Sequence, residues 1–303
     1  MSVVTRLMSL LLALTLVPLL QAEAHCPGNA ASLRFPSVAR SLIIVPVVIN
    51  HAGPYAFLVD TGTQLTMVDP SLASELHLKI EGAANVVGVG FNANSVLARA
   101  DSLEVGSRSV KNHVVELQDL ELLKTAGLHI RGILGGSFLG HFDVLIDYAH
   151  NMLCLDDTKT MRFLVKGVHV ELETSASAAD ELPLTGLVIV SVHLSGAGPL
   201  QLALDSGTNA PYLYQPNKNL LPEESTGVTQ PGLSGDGVSR EYSALPSQKM
   251  QIGSLIMRQV TFFKSARSDP LIPKMPFDGL LTTTLFRRVF ISYSDRFVIL
   301  EPR

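Results

Sequence analysis

One pattern occurs twice in this chain. Leu42–Thr63 reads LIIVPVVINHAGPYAFLVDTGT and Leu187–Thr208 reads LVIVSVHLSGAGPLQLALDSGT, aligned without a gap at an offset of 145 residues (205 − 60). Each copy is an apolar strand, a Gly-Pro turn, a second apolar strand, then Asp-Thr/Ser-Gly-Thr. A chain that repeats such a unit is constrained to a duplicated fold, and a pseudo-two-fold axis would bring the carboxylates of Asp60 and Asp205 face to face. Two carboxylates about 3 Å apart cannot both ionise, so they share a proton and act as acid and base together.

The duplication extends beyond the motif. A Gly-rich stretch follows each Asp loop, 82–100 and 227–244. A short strand and turn come next, then Gly132-Ile133-Leu134-Gly135 against Gly279-Leu280-Leu281-Thr282, and finally a strand pair. Tyr148 and Tyr293 keep the offset of 145. Strand-length runs of Val, Ile, Phe and Thr, split by Gly and Pro, predict an all-β, bilobal fold of two homologous barrel-like lobes with a cleft between them. The lobes are placed at 25–160 and 185–303. Residues 161–184, with the small-residue run 174–179, read as an inter-lobe linker. The best helix signal is Pro70–Leu78, with Asp69 as N-cap and Pro70 at the first helical position.

Residues 1–24 read as a signal peptide. Arg6 supplies the charge, Met8–Leu20 the apolar run and Ala22-Glu23-Ala24 the small-x-small cleavage site. The expectation is an exported, periplasmic or secreted protein with no membrane span in the mature chain, which would begin at His25. The net charge of −4, with no basic block, argues against nucleic acid as a partner. Cys26 and Cys154 either pair in an oxidising compartment or remain one buried and one mobile thiol. His25, at the N-terminus of the mature chain, could offer copper one ligand but has no spaced partner, and the other eight histidines show no metal-ligand spacing and read as loop or strand-edge residues. Gly88-Val89-Gly90-Phe91-Asn92-Ala93 matches a loose dinucleotide pattern but lacks the strand-helix frame, so it reads as a hairpin.

Asp60-Thr61-Gly62-Thr63 and Asp205-Ser206-Gly207-Thr208 each follow an apolar strand, which holds the carboxylate at the edge of a core. The small hydroxyl and the glycine allow a tight turn and close backbone approach. Thr63 and Thr208 are placed to donate hydrogen bonds to the carboxylates. One such motif arises by chance in roughly two chains per hundred of this length, so the framed pair carries the signal.

With these two loops and Ile133-Leu134-Gly135, nearly the whole mature chain resembles the pepsin-like and retropepsin-like aspartic peptidases, as two retropepsin-like lobes fused in one chain. The resemblance implies an aspartic endopeptidase with Asp60 and Asp205 as the catalytic pair around one water. Thr61 and Ser206 would cross-brace the loops, and Thr63 and Thr208 would hold the outer carboxylate oxygens. The substrate would be an extended peptide of a protein, held under flap hairpins that include Gly88, Gly90 and Phe91. No metal or other cofactor is implied, and a monomer would be complete. Three departures stand out. Thr282 replaces the glycine of the second apolar-apolar-Gly segment, which predicts looser packing there. Phe91 stands where pepsins usually carry a tyrosine. The stretch before Ser41 is too short for a pepsin-type prosegment. Two alternatives remain open: a non-catalytic peptide-binding relative of the same fold, and an actin-like phosphate-binding fold. The export signal and poor helix content weigh against the latter.

Overall fold

Alternation of side chains writes the first strands. In Ile44–Ile49, Val45, Val47 and Ile49 point inward and are buried, while Pro46 is exposed. The turn that follows is made by Asn50 and His51, both with positive φ (49° and 64°), the signature of a hairpin turn matched to strand twist. The Gly-Pro pair expected to turn the chain lies inside the next strand, Ala52–Val59, where Gly53 has φ 127° beside a break in register. Asn50 and His51 accept left-handed backbone, so they take the turn.

The computed structural model describes residues 26–36, 42–88, 91–125, 127–173, 186–195, 198–214, 226–233, 239–265 and 277–303. The proposed signal peptide lies outside them. The first half comprises β1 (Ala31–Arg34), β2 (Ile44–Ile49), β3 (Ala52–Val59), β4 (Met67–Val68), α1 (Pro70–Glu75), β5 (Lys79–Gly88), β6 (Phe91–Val105), β7 (Arg108–Leu117), α2 (Glu121–Thr125), β8 (Gly132–Leu134), α3 (Gly136–Leu139), β9 (Asp143–Asp147) and β10 (Met152–Asp156). The second comprises β11 (Val168–Glu171), β12 (Ile189–Leu194), β13 (Pro199–Asp205), β14 (Tyr212–Leu213), β15 (Thr229–Leu233), β16 (Ser239–Ala244), β17 (Gln248–Ile252), β18 (Leu255–Val260), β19 (Phe263–Ser265), β20 (Gly279–Thr282), β21 (Phe286–Ser292) and β22 (Phe297–Pro302). Helix α1 starts where the sequence places it, with the Asp69 carboxylate accepting from Ser71 N–H at 3.0 Å. It stops at Glu75, three residues early.

The sheet order β2-β3-β8-β4-β7-β6 closes on itself through a β2–β6 pairing, making a six-stranded barrel with β5 added at the flap side. The second half repeats the ring as β12-β13-β20-β14-β19-β16, with β17 closing onto β12. There the long strand corresponding to β6 is split into β16 and β17 around Pro246, which has no N–H for the ladder. The fold is therefore all-β and aspartic-protease-like.

A third sheet, β1-β10-β9-β21-β22-β11, joins the halves. Leu145 of β9 pairs directly with Phe290 of β21, its equivalent at the offset of 145 (290 − 145), so the pseudo-two-fold axis passes between them. Val168–Glu171, read from sequence as linker, forms the edge strand β11 against β22. Its alternation is too short to stand out in isolation. One apolar cluster runs without a break from Val45 and Leu134 in the first barrel through Ile146 and Ile291 of the joining sheet to Leu204 and Leu281 in the second. The lobes are thus halves of one core. His113 also departs from the strand-edge reading: it is buried in the first barrel, 3.3 Å from the Ser137 hydroxyl, and burial beside His141 pushes its pKa down to about 4.

Cys26 and Cys154 form a disulfide across 128 residues, with Cα atoms 5.7 Å apart. It ties Cys26, just ahead of β1, to β10 of the joining sheet. On the chain-entropy estimate a loop of this length is worth about 4–5 kcal/mol. The double variant Cys26→Ser, Cys154→Ser should lose stability up to that amount, read as a lower midpoint in urea.

Candidate active site

Each Asp loop grows from a strand held on both sides. Strand β3 lies parallel to β8, and Asp60 N–H donates to Leu134 O at 3.0 Å. Strand β13 lies parallel to β20, with Asp205 opposite Thr282. The following turn folds each carboxylate back on its own loop: Gly62 N–H donates to Asp60 Oδ1 at 2.8 Å, and Gly207 N–H to Asp205 Oδ1 at 2.6 Å.

The two loops then lock together by four hydrogen bonds related by the pseudo-two-fold axis. Thr61 Oγ1 donates to Leu204 O at 2.7 Å and accepts from Ser206 N–H at 3.1 Å. Ser206 Oγ donates to Val59 O at 2.8 Å and accepts from Thr61 N–H at 3.1 Å. Both residues are fully buried. A β-carbon added to Gly62 would lie 2.5 Å from Asp205 Cγ, and one added to Gly207 would lie 2.6 Å from Asp60 Cγ. Each glycine therefore backs the carboxyl of the opposite loop, and any larger residue would drive the pair apart.

Burial raises the pKa of both aspartates. The rise is larger for Asp205, because the charge of Asp60 and the hydrogen bond between the two carboxyls add to burial. Main-chain N–H groups oppose it: Gly62 and Thr63 at Asp60, Gly207 and Thr208 at Asp205. The expected hydroxyl contacts differ in kind. The Thr208 hydroxyl donates to Ala210 O at 3.2 Å, so that residue serves the carboxylate through its backbone.

Thr282 does not loosen the second lobe. It is 1 % exposed, and its hydroxyl donates to Thr208 O at 2.7 Å. In the first lobe the equivalent bond comes from Gly136 N–H to Thr63 O at 2.9 Å. A side-chain hydroxyl thus replaces a main-chain donor.

Among the flap candidates, Gly88 and Phe91 pair at the end of the β5–β6 hairpin, and Gly90 lies outside the described residues. Strands β15 and β16 form the corresponding hairpin in the second lobe. The sequence reading gave no role to the tyrosines around the pair. Tyr148 bonds the Thr283 hydroxyl at 2.6 Å, and burial pushes its pKa up to about 12. The hydroxyls of Tyr293 and Tyr214 are buried with no partner among the described residues, and the charge of Asp60 bears on both. The repeat of Tyr148 and Tyr293 at the motif's own offset was the available signal.

No group of three His, Cys, Asp or Glu among the described residues is arranged to hold a metal ion. None of their helices is long and apolar enough to cross a membrane. The strand-built lobes differ from the helix-rich layers of an actin-like fold, which removes that alternative.

Two barrels presenting one Asp loop each across a pseudo-two-fold axis define the aspartic-protease class of architecture. Residues 45–138, which span the first barrel from β2 into α3, match the family model described as aspartyl protease, consistent with retropepsin-like aspartic peptidases. That match supports a protease-like, hydrolytic function. No curated protein matches the chain.

Thr61→Val leaves the buried Ser206 N–H and Leu204 O unpaired, so it should cost about 1–3 kcal/mol in urea denaturation. Ser206→Ala should cost a similar amount, and the double variant less than the sum, because the four bonds form one unit. For Asp205, a folded pKa raised above the ordinary 3.8 contributes stability that is present below that value and lost as pH rises through the folded one. Asp205→Asn should therefore be more stable than the native chain at neutral pH, with the gap closing below about pH 4, as followed by thermal midpoints across pH.

Proposed function

We propose that the chain is an aspartic endopeptidase that hydrolyses peptide bonds with a water activated between Asp60 and Asp205. The observation that carries the reading is the cross-braced loop pair, which holds the two carboxyls against one another through Thr61 and Ser206. The pair titrates as a unit and shares one proton, which we assign to Asp205. Asp60 takes a proton from the water as it attacks the peptide carbonyl. Asp205 donates a hydrogen bond to the carbonyl oxygen, where negative charge develops. The proton taken by Asp60 passes to the leaving nitrogen, and water restores the starting state.

The substrate is an extended segment of a protein, held beneath the two hairpins through main-chain hydrogen bonds in the manner of an added strand. Both loops come from one chain, so a monomer is complete. We place the protein outside the cytoplasm, in a periplasm or secreted. The charged and apolar pattern of residues 1–24 supports this, and so does the disulfide, which persists in oxidising compartments. Peptide binding without hydrolysis is the competing function.

The test is digestion of a mixed peptide library from acid to neutral pH, read by mass spectrometry, beside Asp60→Asn and Asp205→Asn. Cleavage by the native chain that both substitutions reduce by a factor of about 10³ or more is expected, since each removes the acid-base pair. A folded native chain that cuts nothing across that range refutes the reading.

A further inference from the structure

The barrels are built alike, yet equivalent rows of side chains running from their Asp loops to the flap arms differ in chemistry. In the first barrel a row of outward-facing residues crosses the strands from the base of the Asp60 loop to the flap arm. Leu58 pairs with Ile133, Ile133 with Met67, Met67 with Glu116, and Glu116 with Leu97. The second barrel carries the same row as Ala203, Leu280, Tyr212, Phe263 and Ala244. Main-chain bonds confirm that the rows correspond: Glu116 N–H donates to Thr66 O and Phe263 N–H to Pro211 O, both at 2.9 Å. Glu116 and Phe263 are therefore equivalent positions, as are Ser95 and Tyr242, two residues toward the flap tip from Leu97 and Ala244.

On the first wall, Glu116 is fully buried, and its Oε1 accepts from the Ser95 hydroxyl at 2.6 Å. Its Oε2 is sealed from solvent and has no partner among the described residues. A buried carboxyl oxygen without a donor is costly, and burial accordingly raises the pKa of this group. Around it stand Met67 and Leu97, which would line the aliphatic stem of a long side chain. The second wall is aromatic. Tyr212 and Tyr242 meet edge to face at 4.7 Å, and Phe263 lies 6.0 Å from Tyr212. Gln230 Nε2 donates to the Tyr212 hydroxyl at 3.2 Å, which fixes that ring.

We propose that this site is asymmetric in specificity: the Glu116 wall accepts a cationic side chain, Lys or Arg, and the Tyr212–Tyr242–Phe263 wall accepts an aromatic or large apolar one. The substrate would carry these residues on opposite sides of the scissile bond. The inference rests on the peptidase reading and names its substrate class. A cation entering between the partly exposed Met67 and Leu97 would reach the buried Glu116 and supply the missing donor to Oε2, and a neutral apolar chain would leave that oxygen unpaired. Sites built around such a group discriminate strongly against analogues that lack the donor.

The experiment profiles cleavage preference at every position for the native chain, Glu116→Gln, Glu116→Leu and Tyr242→Ala. Glu116→Gln keeps the shape and the Ser95 bond, so it tests charge without disturbing the fold. The native chain should favour Lys or Arg on one side of the cut and aromatic residues on the other. Glu116→Gln should lower the preference for Lys over Met by about tenfold or more and leave the aromatic side unmoved, while Tyr242→Ala should do the reverse. An unchanged profile in Glu116→Gln, or a native chain indifferent to cations, overturns the proposal. If nothing is cut, the peptidase reading fails separately, and the same library is captured on the folded native chain. Captured peptides rich in a cation and an aromatic, with the cation bias lost in Glu116→Gln, sustain the proposal. Capture without that bias, or no capture, overturns it.

Discussion

The structure turns on keeping two carboxyl groups side by side, Asp205 buried and Asp60 partly so. Such a pair is unfavourable unless something rigid holds it and one proton is shared. The hydroxyls of Thr61 and Ser206 supply the rigidity, each reaching across to a carbonyl and an N–H of the other loop. Everything else supports that clasp. The parallel strands β8 and β20 fix the loops from behind, and the joining sheet sets the spacing of the barrels. The continuous apolar cluster makes the halves one cooperative body.

Around the symmetric centre the chain breaks its own symmetry, and each break has a local physical cause. Thr282 replaces Gly135 but restores the lost bond with its hydroxyl. Tyr148 finds the Thr283 hydroxyl, whereas its equivalent Tyr293 meets no partner among the described residues, because the position matching Thr283 is Gly136. A side chain there would run into Gly186 O, only 2.2 Å from the added β-carbon. Gly186, at the end of the connection between the lobes, thus lies close against this side of the site. The difference between Glu116 and Phe263 belongs to the same pattern. Two lobes in one chain can diverge in their walls while the centre stays symmetric.

Much of the fold could be read from the residues alone, because its signals are local or repeated. Strand alternation, the Asp69 cap and the two Asp loops all sit within a few residues of their causes. Other features could not be read that way. The Gly-Pro pair looked like a turn, but left-handed backbone at Asn50 and His51 took that role. Residues 168–171 looked like linker because a four-residue edge strand gains its meaning only from its partner β22. His113 read as a loop or strand-edge residue, and its burial depends on neighbours distant in sequence.

The sequence by itself determined the duplication, the all-β character and the identity of the paired aspartates. These follow from repeat spacing and side-chain periodicity, which survive without coordinates. The tertiary structure alone decided that Cys26 reaches Cys154, that Thr61 and Ser206 exchange hydrogen bonds, and that Glu116 faces the flap arm while Phe263 stands in its place opposite. Those contacts join residues far apart along the chain, and their distances and registers are set by barrel closure and by the two-fold packing of the joining sheet.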